Sequence, residues 1–372
     1  MAPDCNSDEG FLLLYREMAL RARSMVSGSF KFQASDFIES WTNYLQLFAF
    51  IRSVDAQDLV LTAQWTYDII QEFVYQFQGF CQYRAQLRSE RDASLLLENR
   101  QAWAAPTVYR TLLDLVAMQS PNAPVVKAHF AYFATIELAR LECLLGDFSS
   151  SIQTVGGIRL TDRTELIHSV PSAHVSVFYH AGVSLLMLRR FADTIALLSE
   201  ALLHISRVLR PGAASLRTQA QQLLQKTMEK MLSLIAIAMA LSPGQRVDDQ
   251  VRDIVESKAL DKLRRLQAGE IGAFEDIFES SCPKFVSPCV PSEYPVAGNL
   301  CQEEMRMHIA VFLNEVRQHA ALLRLRSYVR MYSSIELAKL ARFNESSETD
   351  FVAQLIACKH KNAQILVPTT VV

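Results

Sequence analysis

Residues 131–155, AYFATIELARLECLLGDFSSSIQTV, join a long apolar run, the turn Gly146-Asp147-Phe148 and a shorter amphipathic run. The spacing predicts two antiparallel helices. Residues 174–198, HVSVFYHAGVSLLMLRRFADTIALL, repeat the pattern around Arg189-Arg190-Phe191. In this second unit Ala181 and Gly182 are small enough to let the paired helix approach closely. A single hairpin of this kind cannot bury its apolar face alone, so stacking is expected, as in tetratricopeptide-like solenoids. The interval between the two turns exceeds the 34-residue period of that repeat, so the units are degenerate copies.

Composition points the same way. Among 372 residues there are only 12 glycines and 12 prolines, roughly 3% each against typical usage of about 7% and 5%. Such a chain lacks the turn residues that a many-stranded sheet consumes, and an all-α protein is expected. Half of the residues are hydrophobic and the net charge is −2, which excludes a broad cationic field for nucleic acid. The seven cysteines are odd in number and scattered, a pattern of reduced thiols rather than a disulfide framework. The most apolar run, MLSLIAIAMAL at 231–241, has 11 residues, about half of what a membrane span needs. The acidic start, MAPDCNSDEG, lacks the positive charge of a secretion signal.

Helices are expected over FLLLYREMALRARSMV, over SDFIESWTNYLQLFAFIRSV and over QWTYDIIQEFVYQFQGFCQYR. Phe37, Trp41, Tyr44, Leu45 and Phe48 form one buried stripe, and Trp65, Ile69, Phe73, Phe77 and Phe80 another. Residues 86–104 are charged and less regular, and Pro106, Pro121 and Pro124 punctuate the next part of the chain. A helix over 215–241 is succeeded by two more over 248–270 and 273–282. CPKFVSPCVPSEYPVAG, with four prolines in 17 residues, is an extended connector. A long helix then carries Ile309, Leu313, Val316, Ala320 and Leu323 on one face.

The stretch SIELAKLARFNESSETDFVAQLIACKHK, from Ser334 to Lys361, reads as a helix-turn-helix. Ser333 with Glu336, and Ser347 with Asp350, have capping-box spacing. Ile335, Ala338 and Leu340 with Phe351, Val352, Leu355 and Ile356 supply its core, and AQILVPTT is the first strand of a wing. A reading helix offers its first residues to base edges. Here those positions carry Glu345, Glu348 and Asp350, which argue against DNA reading and for a protein-interaction surface.

Helical hairpins leading into a winged helix resemble the PCI module of the proteasome lid, the signalosome and translation initiation factor 3. The blocks at 64–84, 144–152 (LLGDFSSSI), 175–195, 279–291 (ESSCPKFVSPCVP) and 327–361 resemble the subunit L family of eukaryotic translation initiation factor 3. Relative to that family the stretch between Arg84 and Val125 looks shorter, and the wing strands and terminal helix that come after KHK in the family are not found before Val372. The resemblance implies a non-enzymatic cytoplasmic scaffold, pairing with subunit K, joining the other PCI subunits, and assembling on the small ribosomal subunit. It also implies four regions: 1–124, helical; 125–281, tetratricopeptide-like; 282–300, the connector; 301–372, the last PCI helix and a C-terminally incomplete winged helix. A PCI subunit of the proteasome lid or signalosome, a winged-helix regulator binding nucleic acid, and a hydrolase are the rival readings.

No catalytic, cofactor or metal constellation is read from the chain. Cys282 and Cys289 are too far apart for a paired zinc motif, with Cys301 and His308 further on. His174 and His180, six residues apart, do not share a helix face. Gly156-Gly157 lacks the strand and the Lys-Ser/Thr of a phosphate loop. The basic candidates are Arg317, Arg324, Arg326 and Arg330 on the long helix, and Lys359, His360 and Lys361 near the end. Their plainer reading is a solvated face. The functional one assigns Arg324, Arg326, Arg330, Lys359 and Lys361 to a partner or ribosomal RNA contact. No membrane partner and no sequence-specific DNA are expected.

Overall fold

The computed structural model describes residues 9–26, 32–53, 60–87, 89–160, 162, 165–208, 218–291 and 300–365. These residues form α-helices and one 3-10 turn, with no strand among them. They fall into two compact units, Met1–Ala181 with Pro283–Met305, and Gly182–Cys282 with Arg306–Val372.

In the first unit α1 (Glu9–Val26), α2 (Ala34–Ser53) and α3 (Ala63–Ala85) follow the periodicity of the sequence. Their shared interior is aromatic. Phe73 sits 5.3 Å from Tyr44 and 5.2 Å from Phe48, ring centre to ring centre, with edge-to-face geometry. Of the two expected stripes only Leu45 on α2 and Trp65 on α3 lie open to solvent.

Residues 89–104 are more regular than their charge suggests. Ser89 caps α4 (Glu90–Glu98) by accepting from the Asp92 N–H at 3.4 Å. Trp103 then enters the aromatic interior, 5.1 Å from both Trp41 and Phe73, and donates its indole N–H to the Phe37 carbonyl at 2.7 Å. One large side chain thus pins an otherwise polar segment. Pro106 starts α5 (Ala105–Val116) rather than interrupting a helix, because a first-turn residue has no N–H partner to lose.

α6 (Val125–Leu144) and α7 (Phe148–Val155) form the hairpin read from the sequence. Gly146 turns the chain at φ +83°, and Asp147 caps α7 through the Ser150 N–H at 3.0 Å. α6 packs against α3, α5 and α7. A 3-10 turn, Leu166–Ser169, precedes α8 (Pro171–Met187).

The described part of the proline-rich segment, residues 282–291, is neither helix nor strand, and it is seated. Phe285 and Val286 are buried. The Val286 N–H donates to the Leu144 carbonyl at 2.9 Å, satisfying a group at the end of α6, and the Phe285 ring meets Phe148 edge-on at 6.1 Å. Further along, buried Arg84 donates to the Cys289 carbonyl at 3.0 Å. Prolines hold this strap open while its backbone bonds to the hairpin and to α3.

The second unit is built around α10 (Thr218–Leu241), which packs against α9 (Phe191–Val208), α11 (Asp249–Gln267) and α12 (Ile271–Ser281). Its apolar run is buried almost throughout, from Met231 to Ala238 and at Leu241. No described helix is long and apolar enough to cross a membrane. α13 (Leu300–Met331) buries Ile309, Phe312, Leu313 and Val316, with Phe312 stacked on Phe278 at 4.1 Å. Ala320 and Leu323 lie on the same helix, but their side chains fall outside the described residues.

Gly182 meets the expectation of close approach. A Cβ there would stand 2.4 Å from Leu198 Cδ2 and 2.8 Å from its Cγ, and Leu198 is fully buried on α9. Gly182→Val is therefore expected to destabilise the protein by about 1–3 kcal/mol through overpacking. Chemical denaturation checks this, with Gly244→Val, at an open position, as the control that stays near wild type.

Candidate functional site

The helix-turn-helix is present as α14 (Leu337–Phe343) and α15 (Glu348–Ile365). Leu340, Ala341 and Phe351 form its centre, with Tyr328, Ile335, Leu337 and Leu355 packed around them. At α15 the capping reading holds: Ser347 accepts from the Asp350 N–H at 3.1 Å and donates to the Asp350 carboxylate at 2.6 Å. At α14 it does not. Glu336 itself occupies the cap position in extended conformation, and no side chain caps the helix.

Two further corrections concern α15. Ile356 is 54% exposed rather than part of the core, because Phe351 and Leu355, one turn apart, already define the inward face and the next residue is rotated by about 100°. Ala363 to Ile365, read as the beginning of a wing strand, continue α15. The rest of AQILVPTT lies outside the described residues.

The start of α15 is acidic and open. Glu345, Glu348 and Asp350 are all exposed, where carboxylates favour the positive end of a helix and repel a phosphate backbone. Arg324, Arg326 and Arg330 lie on α13 and Lys361 on α15, but their side chains fall outside the described residues. Lys359 and His360 are exposed on α15, and Arg317 is exposed on α13. No grouping of these basic residues is seen among the described side chains.

Apolar side chains stand exposed in rows. Phe11, Tyr15 and Met18, at helical spacing, share the outer face of α1, with the Phe11 and Tyr15 rings stacked at 6.3 Å. Met307 and Val311 do the same on α13. Surfaces of this sort are suited to packing against other proteins.

His174 is buried and stacks on Phe178 at 4.4 Å; His180 Nδ1 lies 2.7 Å from the Ser176 carbonyl oxygen. Burial pushes the Cys282 thiol up to about 12, so it stays protonated at neutral pH.

Sequence reading missed the charges inside α6. Glu137 is 0% and Arg140 4% exposed, paired at 3.0 Å. Tyr67 donates to Glu137 at 2.9 Å, Gln78 accepts from Arg140 at 2.8 Å, and the Arg140 guanidinium lies 4.0 Å over the Tyr75 ring. Burial opposes the Arg140 charge, yet the Glu137 carboxylate and the Tyr75 and Tyr67 hydroxyls hold its pKa above the ordinary value. Further along α6, Glu142 accepts from Tyr109 at 2.9 Å and Thr154 at 2.8 Å, and burial raises its pKa against those two bonds. Every side of α6 is apolar, and that was the available signal: a charge on such a helix has no solvent face. These groups join α3, α5 and α7 to α6, and most of their donors and acceptors are spent on one another, the Arg140 Nε–H being the exception.

An all-helical protein of helical hairpins with a helix-turn-helix whose second helix has an acidic leading turn is the class these features define. Over residues 36–370 the chain matches the family described as RNA polymerase I-associated factor PAF67. It is 33% identical over 391 residues to a Nematostella vectensis protein named eukaryotic translation initiation factor 3 subunit L, covering 98% of this chain and 73% of that one. The proteins of that name from Xenopus tropicalis and Homo sapiens are each 33% identical over 385 residues, covering 97% of this chain and 67% of theirs. The chain belongs to this family, that of subunit L of eukaryotic translation initiation factor 3.

The buried pair is open to test. Arg140→Met alone leaves an uncompensated carboxylate and is expected to cost about 3–5 kcal/mol, most of which returns when Glu137→Leu is added. Urea unfolding monitored by the fluorescence of Trp41 and Trp103 measures both.

Proposed function

We propose that this chain is a non-enzymatic scaffold subunit of the cytoplasmic translation initiation factor 3 complex, helping to assemble its PCI core on the small ribosomal subunit. The observation that carries this reading is 33% identity over nearly the whole chain to proteins named subunit L of that factor. The exposed apolar rows on α1 and α13, and the carboxylates leading α15, support contacts with protein rather than with a DNA groove. Subunit K and the other PCI subunits are the proposed neighbours. The region boundaries at 124, 281 and 300 belong to the same reading, as does a partner or ribosomal RNA contact through Arg324, Arg326, Arg330, Lys359 and Lys361.

A second reading rests on the family's description as an RNA polymerase I-associated factor. It places the chain as a helical adaptor of the transcription machinery.

The tagged chain, recovered gently from its own cells with and without nuclease, separates these possibilities by mass spectrometry. Factor 3 subunits that survive nuclease are the expected result. Polymerase I subunits would favour the second reading, and proteasome lid or signalosome subunits would overturn both. For the basic residues, Arg324→Glu with Arg330→Glu is expected to weaken co-sedimentation with the factor or the ribosome while leaving thermal unfolding unchanged. Undiminished co-sedimentation removes them from the interface.

A further inference from the structure

α11 is interrupted in its middle. Ala259 has φ −135° and ψ 18°, outside helical geometry, although no proline or glycine stands between Val255 and Leu263 and alanine is the best of helix formers. Beside the interruption, between α10 and α11, lies a groove of about 380 Å³, within the size range of small ligand sites.

The groove is divided by chemistry. Met228, Leu232 and Ala259 form its floor, and each is almost fully buried within the unit. The rim carries Lys258 and Lys262, on either side of the interruption in α11, and opposite them Glu229 on α10. Lys262 Nζ donates to Ser233 Oγ at 2.9 Å, and Ser233 in turn donates to the Glu229 carbonyl at 3.0 Å. This bond draws one ammonium across the groove, and its other two N–H groups remain for further acceptors. No carboxylate is paired with Lys258 or Lys262 among the described residues.

We propose that this groove docks a short acidic segment of a partner protein. One aliphatic or aromatic side chain of the segment rests on Met228, Leu232 and Ala259, and its flanking carboxylates meet Lys258 and Lys262. The complementarity is of two kinds. The floor rewards an apolar anchor, which a nucleic-acid backbone does not carry. The lysines reward carboxylates, whereas Glu229 on the facing rim repels a continuous run of phosphates. Occupancy of the groove does not depend on which assembly holds the chain.

The test uses the chain in whatever assembly co-purifies with it. A carbodiimide, which joins an amine to a carboxylate without a spacer, is applied and the products are mapped by mass spectrometry. Lys258 or Lys262 joined to an Asp or Glu of another identified protein is the expected result, next to an aliphatic or aromatic residue in that partner. Gln225→Trp, at an exposed position lining the same groove, is expected to reduce this product about tenfold with unchanged thermal unfolding. Lysines joined only to Glu229 or to other residues of their own chain would overturn the proposal. So would a product whose yield ignores Gln225→Trp, since that describes exposed lysines and no groove. RNA captured on these lysines by ultraviolet light, in place of a protein carboxylate, would overturn it too and assign the groove to nucleic acid. A partner from outside factor 3 would sustain the groove and sink the assembly reading, so the two fail separately.

Discussion

A helical stretch that is apolar on every side has to be surrounded, and each unit contains one: most of α6, and the Met231–Leu241 half of α10. α6 meets α3, α5 and α7; α10 meets α9, α11 and α12. Burying a helix of this sort removes several large side chains from water at about 25 cal/mol per Å² of apolar surface, and no single neighbour covers enough of it. The helices within each unit therefore pack together because their central members cannot stand alone. The aromatic packing of α2 and α3, the strap over the end of α6, and the Phe278–Phe312 contact of α12 with α13 all add cover around these two helices.

That constraint also explains where the charges went. Once α6 is enclosed, Glu137, Arg140 and Glu142 cannot reach solvent, and each costs heavily unless it is paired. Tyr67, Gln78, Tyr109 and Thr154 supply the partners from α3, α5 and α7. Buried polar bonds of this kind contribute little net free energy, but they penalise any other register of the hairpin. Gly182 against Leu198 acts similarly in the second unit, since only one approach of α8 to α9 leaves room for both.

Function in such a molecule is carried by what the packing leaves outside. α15 presents carboxylates where a DNA reader presents donors, α1 and α13 present apolar rows, and α11 opens a groove where its helix is interrupted. A family of complex-forming subunits is consistent with surfaces of that kind. The groove differs from the rows because it combines a floor with a charged rim, and so selects a particular chemistry.

Much was legible from the letters alone. Scarce glycine and proline, apolar residues every three or four positions, and a turn at Gly146-Asp147 were enough for an all-helical hairpin protein, and a short odd block such as CPKFVSPCVP was enough for the family resemblance. These are local signals, carried within one or two helical turns. What only the tertiary structure decided is long-range. Trp103 orders a charged stretch because Phe37, far away in the chain, offers a carbonyl. Leu355 packs on the core while Ile356 is exposed, because α14 lies on one side of α15. Arg140 is structural because three helices close over α6. Periodicity reports that a residue has an apolar neighbour on its own helix, and the identity of whatever packs against it comes from the rest of the chain.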